Sequence, residues 1–96
     1  MDLQTILTTV CTTTNTSVNL VRSQSRRDRI VTARFLFIYL SHQHTNCTAY
    51  QITRLIKRDH KLYYHAIMKV NEWRKYNKSI AGWLETINNQ INLMKQ

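Results

Sequence analysis

The sequence predicts an all-α fold, and three features lead to that prediction. The chain has no proline and one glycine, so it lacks the residues that the tight turns of a many-stranded sheet require. Hydrophobic residues make up 43% of its 96 residues, which is enough to form a core. These residues recur at steps of three and four, the period of amphipathic helices. Because a chain of this length has room for one core, we expect residues 1–96 to form a single domain.

The N-terminal third predicts two short helical segments. An amphipathic helix is expected first, and it ends in the polar tract TTTNTS; its apolar face contains Leu3, Ile6, Leu7 and Val10. One helical turn packed beneath the core is expected next, from the apolar cluster of Val18, Leu20 and Val21. A basic run from Arg22 to Arg29 follows this cluster.

Two longer amphipathic segments predict the bulk of the core. The central core helix ends near the polar loop SHQHTN, and its apolar residues are Ile30, Ala33, Phe37, Ile38, Tyr39 and Leu40. The C-terminal helix is expected to close the core, with Trp83 beside a stripe formed by Ile80, Leu84, Ile87, Ile91 and Met94.

A helix-turn-helix is predicted between these segments. Thr48 and Gln51 form a T-x-x-Q capping box at the start of a helix that runs to about Ile56. The apolar residues of this helix are Ile52, Leu55 and Ile56. Lys57 and Arg58 make a short connection, after which Asp59 is the expected N-cap of a second helix that runs to about Arg74.

The second helix of this pair has two distinct faces. Its core stripe contains Tyr63, Ala66, Ile67 and Val70, whereas Lys61, His65 and Lys69 lie at four-residue steps on another face. Together with Lys57 and Arg58, these last three residues occupy the places where a helix-turn-helix makes groove and phosphate contacts.

The charge of the chain indicates a polyanionic partner. The formal net charge is +9, and thirteen of the fourteen Lys and Arg residues lie between Arg22 and Lys78. The scarcity of glycine disfavours a phosphate-cradling loop, so we expect no nucleotide site and no cofactor. The five acidic residues are scattered, so we expect no catalytic carboxylate pair and no enzymatic activity.

The cysteines and histidines allow two further hypotheses. Cys11 and Cys47 could form a disulfide, but two cysteines without a signal-like segment fit free thiols in a reducing cytosol better. Zinc ligand types occur at His42, His44, Cys47 and His60, without the paired spacing of known zinc fingers. We therefore expect no metal site.

The longest apolar run, Phe35 to Leu40, is too short to cross a bilayer, so a cytoplasmic, nucleoid-associated protein is expected.

The segment SRRDRIVTARFLFIYLSHQHTNCTAYQITRLIKRDHKLYYHAIMKV resembles the C-terminal DNA-binding domain, domain IV, of the bacterial replication initiator DnaA. The basic loop, the I-V-x-A-R helix and the R-D-H signature followed by H-A carry the resemblance. It extends upstream through VNLVRSQSR and covers the chain from about Leu3 to Val70. It implies a helix-turn-helix of the Trp-repressor and DnaA domain IV type that binds double-stranded DNA.

The resemblance also implies roles for individual residues. Asp59 and His60 match positions that read base edges in the major groove, and Arg26, next to Arg27, matches an arginine inserted into the minor groove. Contacts to the DNA backbone are implied for Arg34, Thr48 and Lys69.

Two departures from the family pattern bear on specificity and docking. Lys61 and Leu62 replace two threonines, and a lysine there could donate to guanine. Lys57 alone replaces a glycine pair, which shortens the turn by about one residue and should alter the docking angle.

The sequence holds no counterpart of the initiator's nucleotide-binding portion. We therefore expect site occupancy without ATP-coupled duplex opening, in replication or transcription control, for instance of a phage or mobile element.

Three alternatives remain at this point. The C-terminal helix could bind a protein partner through Ile80, Leu84, Ile87 and Ile91. The basic patch could bind nucleic acid without sequence preference. Unpaired bases of RNA or single-stranded DNA could stack on aromatic residues, for which Trp73, Trp83, Tyr63, Tyr64 and Tyr76 are candidates. Helical spacing assigns most of these aromatic residues to packing, with Tyr64 as the expected exposed exception.

Overall fold

The computed structural model describes residues 2–95 and confirms the all-α prediction. The helices of this part of the chain are α1 (Leu3–Thr13), α2 (Val18–Val21), α3 (Asp28–His44), α4 (Ala49–Leu55), α5 (Leu62–Tyr76) and α6 (Lys78–Met94). They form a body of 31 × 28 × 23 Å.

Helix α3 is the centre of the fold. Every residue from Ala33 to Ser41 is buried, as expected for a helix that has neighbours on all sides. Helices α1, α2, α4 and α5 pack against it. Helix α6 packs against α1 and α5 and completes the core.

The apolar stripe of α6 is used inside the molecule. Ile87 and Ile91 are fully buried, and Ile80 and Leu84 are 5% and 6% exposed. The interaction seam that the sequence allowed on these four residues is therefore already covered by the core. Met94, expected to continue the stripe, is 51% exposed, because α6 ends there.

Two other packing expectations differ from the structure. Tyr76 is 84% exposed at the last residue of α5, where no neighbouring helix covers it. Helix α2 forms the expected single turn, but Val21 alone of its apolar cluster is fully buried, and Leu20 is 45% exposed.

Helices α1 and α4 end in the same backbone motif. After α4, the N–H of Lys57 donates to the carbonyl of Arg54 and the N–H of Arg58 donates to that of Thr53, at 3.0 and 2.9 Å. These two bonds form a Schellman motif, which requires a left-handed residue just past the cap. Lys57 is that residue, with φ of 56°, as Asn15 is after α1 with φ of 55°.

Replacing Lys57 by glycine should stabilise the fold. A side chain with a Cβ is strained in the left-handed conformation, whereas glycine is not. Because glycine also gains entropy in the unfolded chain, we expect a net stabilisation of about 0.5–1 kcal/mol for Lys57→Gly in urea unfolding. Asn15→Gly is the matched control and should change stability less, since asparagine tolerates this conformation. A lower urea midpoint for Lys57→Gly would contradict the left-handed turn.

Candidate nucleic-acid interface

The capping box predicted at the start of the helix-turn-helix is confirmed. The hydroxyl of Thr48 accepts from the N–H of Gln51 at 3.2 Å, and the N–H of Thr48 donates to the side-chain oxygen of Gln51 at 2.8 Å. Thr48 is exposed at the N-terminus of α4. Because its hydroxyl oxygen acts as the acceptor in the cap, the hydroxyl hydrogen can still donate to a phosphate.

The second helix begins later than the sequence indicated. Helix α5 starts at Leu62 instead of Asp59, and its N-cap residue Lys61 makes no side-chain capping bond. The Asp59 carboxylate accepts from the N–H of Lys61 at 2.8 Å, and the Asp59 carbonyl accepts from that of Leu62 at 3.0 Å. Asp59 therefore stabilises the turn that leads into α5, and the prediction that it caps a helix over 59–74 was wrong in position.

The imidazole of His60 is held between two neighbours. The ring of Tyr50 stacks on it with centroids 4.3 Å apart and planes at 25°. The Asp59 carboxylate lies 3.4 Å from the His60 Nδ1 atom. His60 is 40% exposed and Asp59 69% exposed, so both side chains remain accessible.

An open groove between α4 and the turn brings several of the predicted residues together. It is lined by Tyr50, Gln51, Thr53, Arg54, Lys57, Arg58, Asp59 and His60. Sequence reasoning missed Tyr50 and Arg54, both of which are exposed. The available signal for Tyr50 was its position outside the buried stripe of Ile52 and Ile56, two residues after the capping threonine.

The outer face of α5 is mixed in character. Lys61 and His65 are exposed, and Lys69 is half-buried. The His65 ring makes an edge contact with Phe35 at 5.6 Å, so it supports the helix as well as facing solvent. Tyr64 is 70% exposed, as expected.

Of the two residues that depart from the family pattern, one faces solvent and the other packs. Leu62 lies against the hydrophobic core, whereas Lys61 is exposed. Of this pair, only the lysine side chain is therefore within reach of a binding partner.

Arg34 lies inside the protein and not on its surface. It is 4% exposed, and its guanidinium donates to the carbonyls of Val21, Ser23 and Ser25, at 2.7 Å in each case. Burial, with a smaller effect of nearby Arg58, lowers the pKa of Arg34 from its usual value. The expected contact between Arg34 and the DNA backbone does not fit this position, because protein carbonyls already occupy the guanidinium.

Two of the carbonyls that accept from Arg34, those of Ser23 and Ser25, belong to the basic loop, residues 22–27, which connects α2 to α3. Arg26 and Arg27 project from this loop and are exposed. Arg58, from the turn between α4 and α5, also donates to the Ser23 carbonyl, and to its neighbouring Lys57 carbonyl at 3.1 Å. The loop that carries Arg26 thus adjoins the turn that carries Asp59 and His60.

The positive charge of this face is not neutralised within the protein. Between residues 2 and 95, the contact of His60 with Asp59 is the one pairing of a basic and an acidic side chain within 4 Å. Apart from buried Arg34, the lysine and arginine side chains of the described chain therefore carry a charge that no acidic side chain neutralises, as binding of a polyanion requires.

The remaining histidines and cysteines have structural partners or are isolated. His42 contacts the Tyr63 hydroxyl, and His44 contacts Asn88 at 2.7 Å. Cys11 and Cys47 are free thiols, and burial raises the pKa of Cys11. Over residues 2–95 no three histidine, cysteine or acidic side chains come together as a metal site would require.

No helix in the described part of the chain is long and apolar enough to cross a membrane.

Comparison with known proteins agrees with this geometry. The profile of the family described as "Bacterial dnaA protein helix-turn-helix" matches residues 3–70. The chain is similar to the chromosomal replication initiator protein DnaA of Campylobacter jejuni subsp. doylei and of Campylobacter jejuni subsp. jejuni serotype O:23/36. In both cases 30% of 92 residues are identical, covering 95% of this chain and 21% of the relative. The chain thus spans about a fifth of the length of these relatives.

Proposed function

Because the chain belongs to the bacterial DnaA helix-turn-helix family, we propose that it binds double-stranded DNA with sequence preference. The turn before α5 and the first turns of that helix enter the major groove, and the basic loop enters the adjacent minor groove. The observation that carries this proposal is the contact of Arg58 with the Ser23 carbonyl. It brings the basic loop and the helix-turn-helix turn together on one uncompensated cationic face.

Base reading in the major groove falls to Asp59, His60 and Lys61. One oxygen of the Asp59 carboxylate is engaged by the Lys61 N–H, which leaves the other free to accept from cytosine N4. The stacked Tyr50 ring restricts the orientation of His60, so the imidazole meets a base edge at a smaller entropic cost. Exposed Lys61 is suited to donate to guanine O6 or N7.

Contacts to phosphate and to the minor groove come from the residues around this centre. Arg26 and Arg27 are exposed on the basic loop, and an arginine is attracted to the negative potential of a narrow minor groove. We expect Thr48, Lys57 and Lys69 to contribute phosphate contacts. His65 adds to this face while it packs on Phe35.

A role in the control of replication is supported by the relatives, which are named chromosomal replication initiators. The chain matches about a fifth of their length, so the proposed contribution is recognition of a DNA site. Control of transcription by occupancy of a promoter is the alternative use of the same interface.

Selection of bound duplexes from a random pool tests the proposal. We expect an enriched motif, and we expect the purified chain to bind that duplex in preference to its single strands and to RNA of the same sequence. Binding of every duplex with equal affinity would indicate an electrostatic binder without base readout. Preference for the single strand would favour base stacking on exposed Tyr50 and Tyr64, which are 64% and 70% exposed.

Lys69→Ala should weaken binding to the selected and to unrelated duplexes by the same factor. Loss of one phosphate contact is expected to reduce the slope of log affinity against log salt by about 0.9. Lys75→Ala, which removes the same charge from the distal end of α5, is the matched control and should leave this slope nearly unchanged. Fluorescence anisotropy titrations at several salt concentrations measure both quantities.

A further inference from the structure

We propose that Arg58 is a positioning residue that fixes the basic loop to the helix-turn-helix turn, so that the minor-groove and major-groove elements meet DNA as one unit. This inference rests on the proposed function. It differs from the role that the sequence suggested for Arg58, which was a direct contact with DNA.

The hydrogen bonds of the Ser23 carbonyl are the first support. Arg34 donates to this oxygen from α3 at 2.7 Å, and Arg58 donates to it from the turn after α4. A carbonyl oxygen has two lone pairs and can accept both, and bonds from a charged guanidinium are stronger than neutral ones. One loop carbonyl therefore joins the core helix to the helix-turn-helix.

The other hydrogen bonds of the loop are local. The Ser25 N–H donates to the Ser23 hydroxyl at 3.2 Å, and the Arg27 N–H donates to the Ser25 hydroxyl at 3.4 Å. Bonds such as these, between residues two or three apart, do not fix the loop relative to α3 or to the helix-turn-helix. Within the described chain, the hydrogen bonds that join the loop to distant segments are those from the guanidiniums of Arg34 and Arg58.

The charges also argue against Arg58 as a free DNA contact. Arg34 and Arg58 approach each other closely enough for Arg58 to lower the pKa of Arg34, and neither contacts a carboxylate within residues 2–95. Both terminal nitrogens of Arg58 already donate to protein carbonyls. These two bonds fix the orientation of the guanidinium, so a phosphate could use only its remaining N–H groups unless the bonds that hold the loop were broken.

A double-mutant cycle with Arg26 tests the inference. We expect Arg58→Ala to weaken binding to the selected duplex about tenfold in the wild-type background, but less than about twofold when Arg26→Ala is already present. Arg54→Ala is the matched control, since Arg54 is exposed in the same groove. Its effect should be the same in both backgrounds. Independent, additive losses for Arg58 and Arg26 would overturn the inference.

Hydrogen exchange in the free protein gives a readout that does not depend on DNA. The amides of residues 23–27 should exchange faster in Arg58→Ala and keep their wild-type rates in Arg54→Ala. Unchanged loop exchange in Arg58→Ala would overturn the inference even if DNA affinity fell. If the wild-type chain binds no duplex, the proposed function fails, while hydrogen exchange still decides whether Arg58 holds the loop.

Arg58→Lys separates charge from geometry, and covers the case in which Arg58→Ala does not fold. Lysine keeps the positive charge but lacks the planar fork of donors. We expect Arg58→Lys to keep the wild-type affinity for unrelated duplexes. Its amides of residues 23–27 should still exchange faster than in the wild type, as in Arg58→Ala. Wild-type exchange and full affinity for the selected duplex in Arg58→Lys would show that charge alone is needed, and would overturn the positioning role.

Discussion

Replacing Arg34 by alanine should lower the free energy of unfolding by about 3–5 kcal/mol, because buried carbonyls lose their charged donor and a cavity remains. The carbonyls of Val21 and Ser25 have no other hydrogen-bond donor in the described chain. In a domain of this size, such a loss corresponds to a drop in melting temperature of about 12 °C or more. Thermal unfolding followed by circular dichroism measures it.

The matched control for this prediction is Arg27→Ala. It removes the same charge from an exposed position of the basic loop, where stability should change by less than about 0.5 kcal/mol. If Arg34→Ala kept the wild-type melting temperature and lost only DNA affinity, the surface role implied by the sequence would be restored.

Replacing Asp59 by asparagine should change base preference without unfolding the turn. Asparagine keeps an oxygen that accepts from the Lys61 N–H, but the other carboxylate oxygen becomes an amide donor. The variant can no longer accept from cytosine at that position, so affinity for the selected duplex should fall by about 1–3 kcal/mol, or about 5–150-fold. Competition titrations against duplexes with single base-pair changes locate the affected position.

Glu72→Gln is the control for the change in net charge. Glu72 is exposed on α5, and the substitution raises the net charge by the same amount as Asp59→Asn. Both variants should therefore bind unrelated duplexes slightly more tightly. Equal behaviour of the two variants on the selected duplex would argue against base reading by Asp59.

The fold was predictable where it depended on periodicity and on capping. The capping box at Thr48 and the buried stripe of Ile87 and Ile91 are properties of short segments, which a helical period captures. The exposed ends at Tyr76 and Met94 were not predictable, because periodicity continues to the last residue whether or not a neighbouring helix reaches that far.

The start of α5 was misjudged for a related reason. Asp59 is a favoured residue both at an N-cap and in a tight turn. The sequence alone does not distinguish these two uses. The structure uses it in the turn, with Lys61 at the helix start.

The roles of the arginines depended on contacts between distant segments. The carbonyl partners of Arg34 lie 9 to 13 residues away in or beside an irregular loop, and the path of that loop has no periodic signature. One signal was available. An arginine in the middle of a helix that is otherwise apolar must be satisfied internally, and this favoured burial over DNA contact.

Backbone amide shifts in a titration with a selected duplex test the central claim most directly. The claim predicts the largest changes in residues 23–27, 48–50 and 57–65 and at Lys69, with little change on the exposed side of α6 at Asn89, Gln90 and Leu93. Changes centred on α6, or on the basic loop without the turn at Asp59 and His60, would contradict a single interface built from both elements.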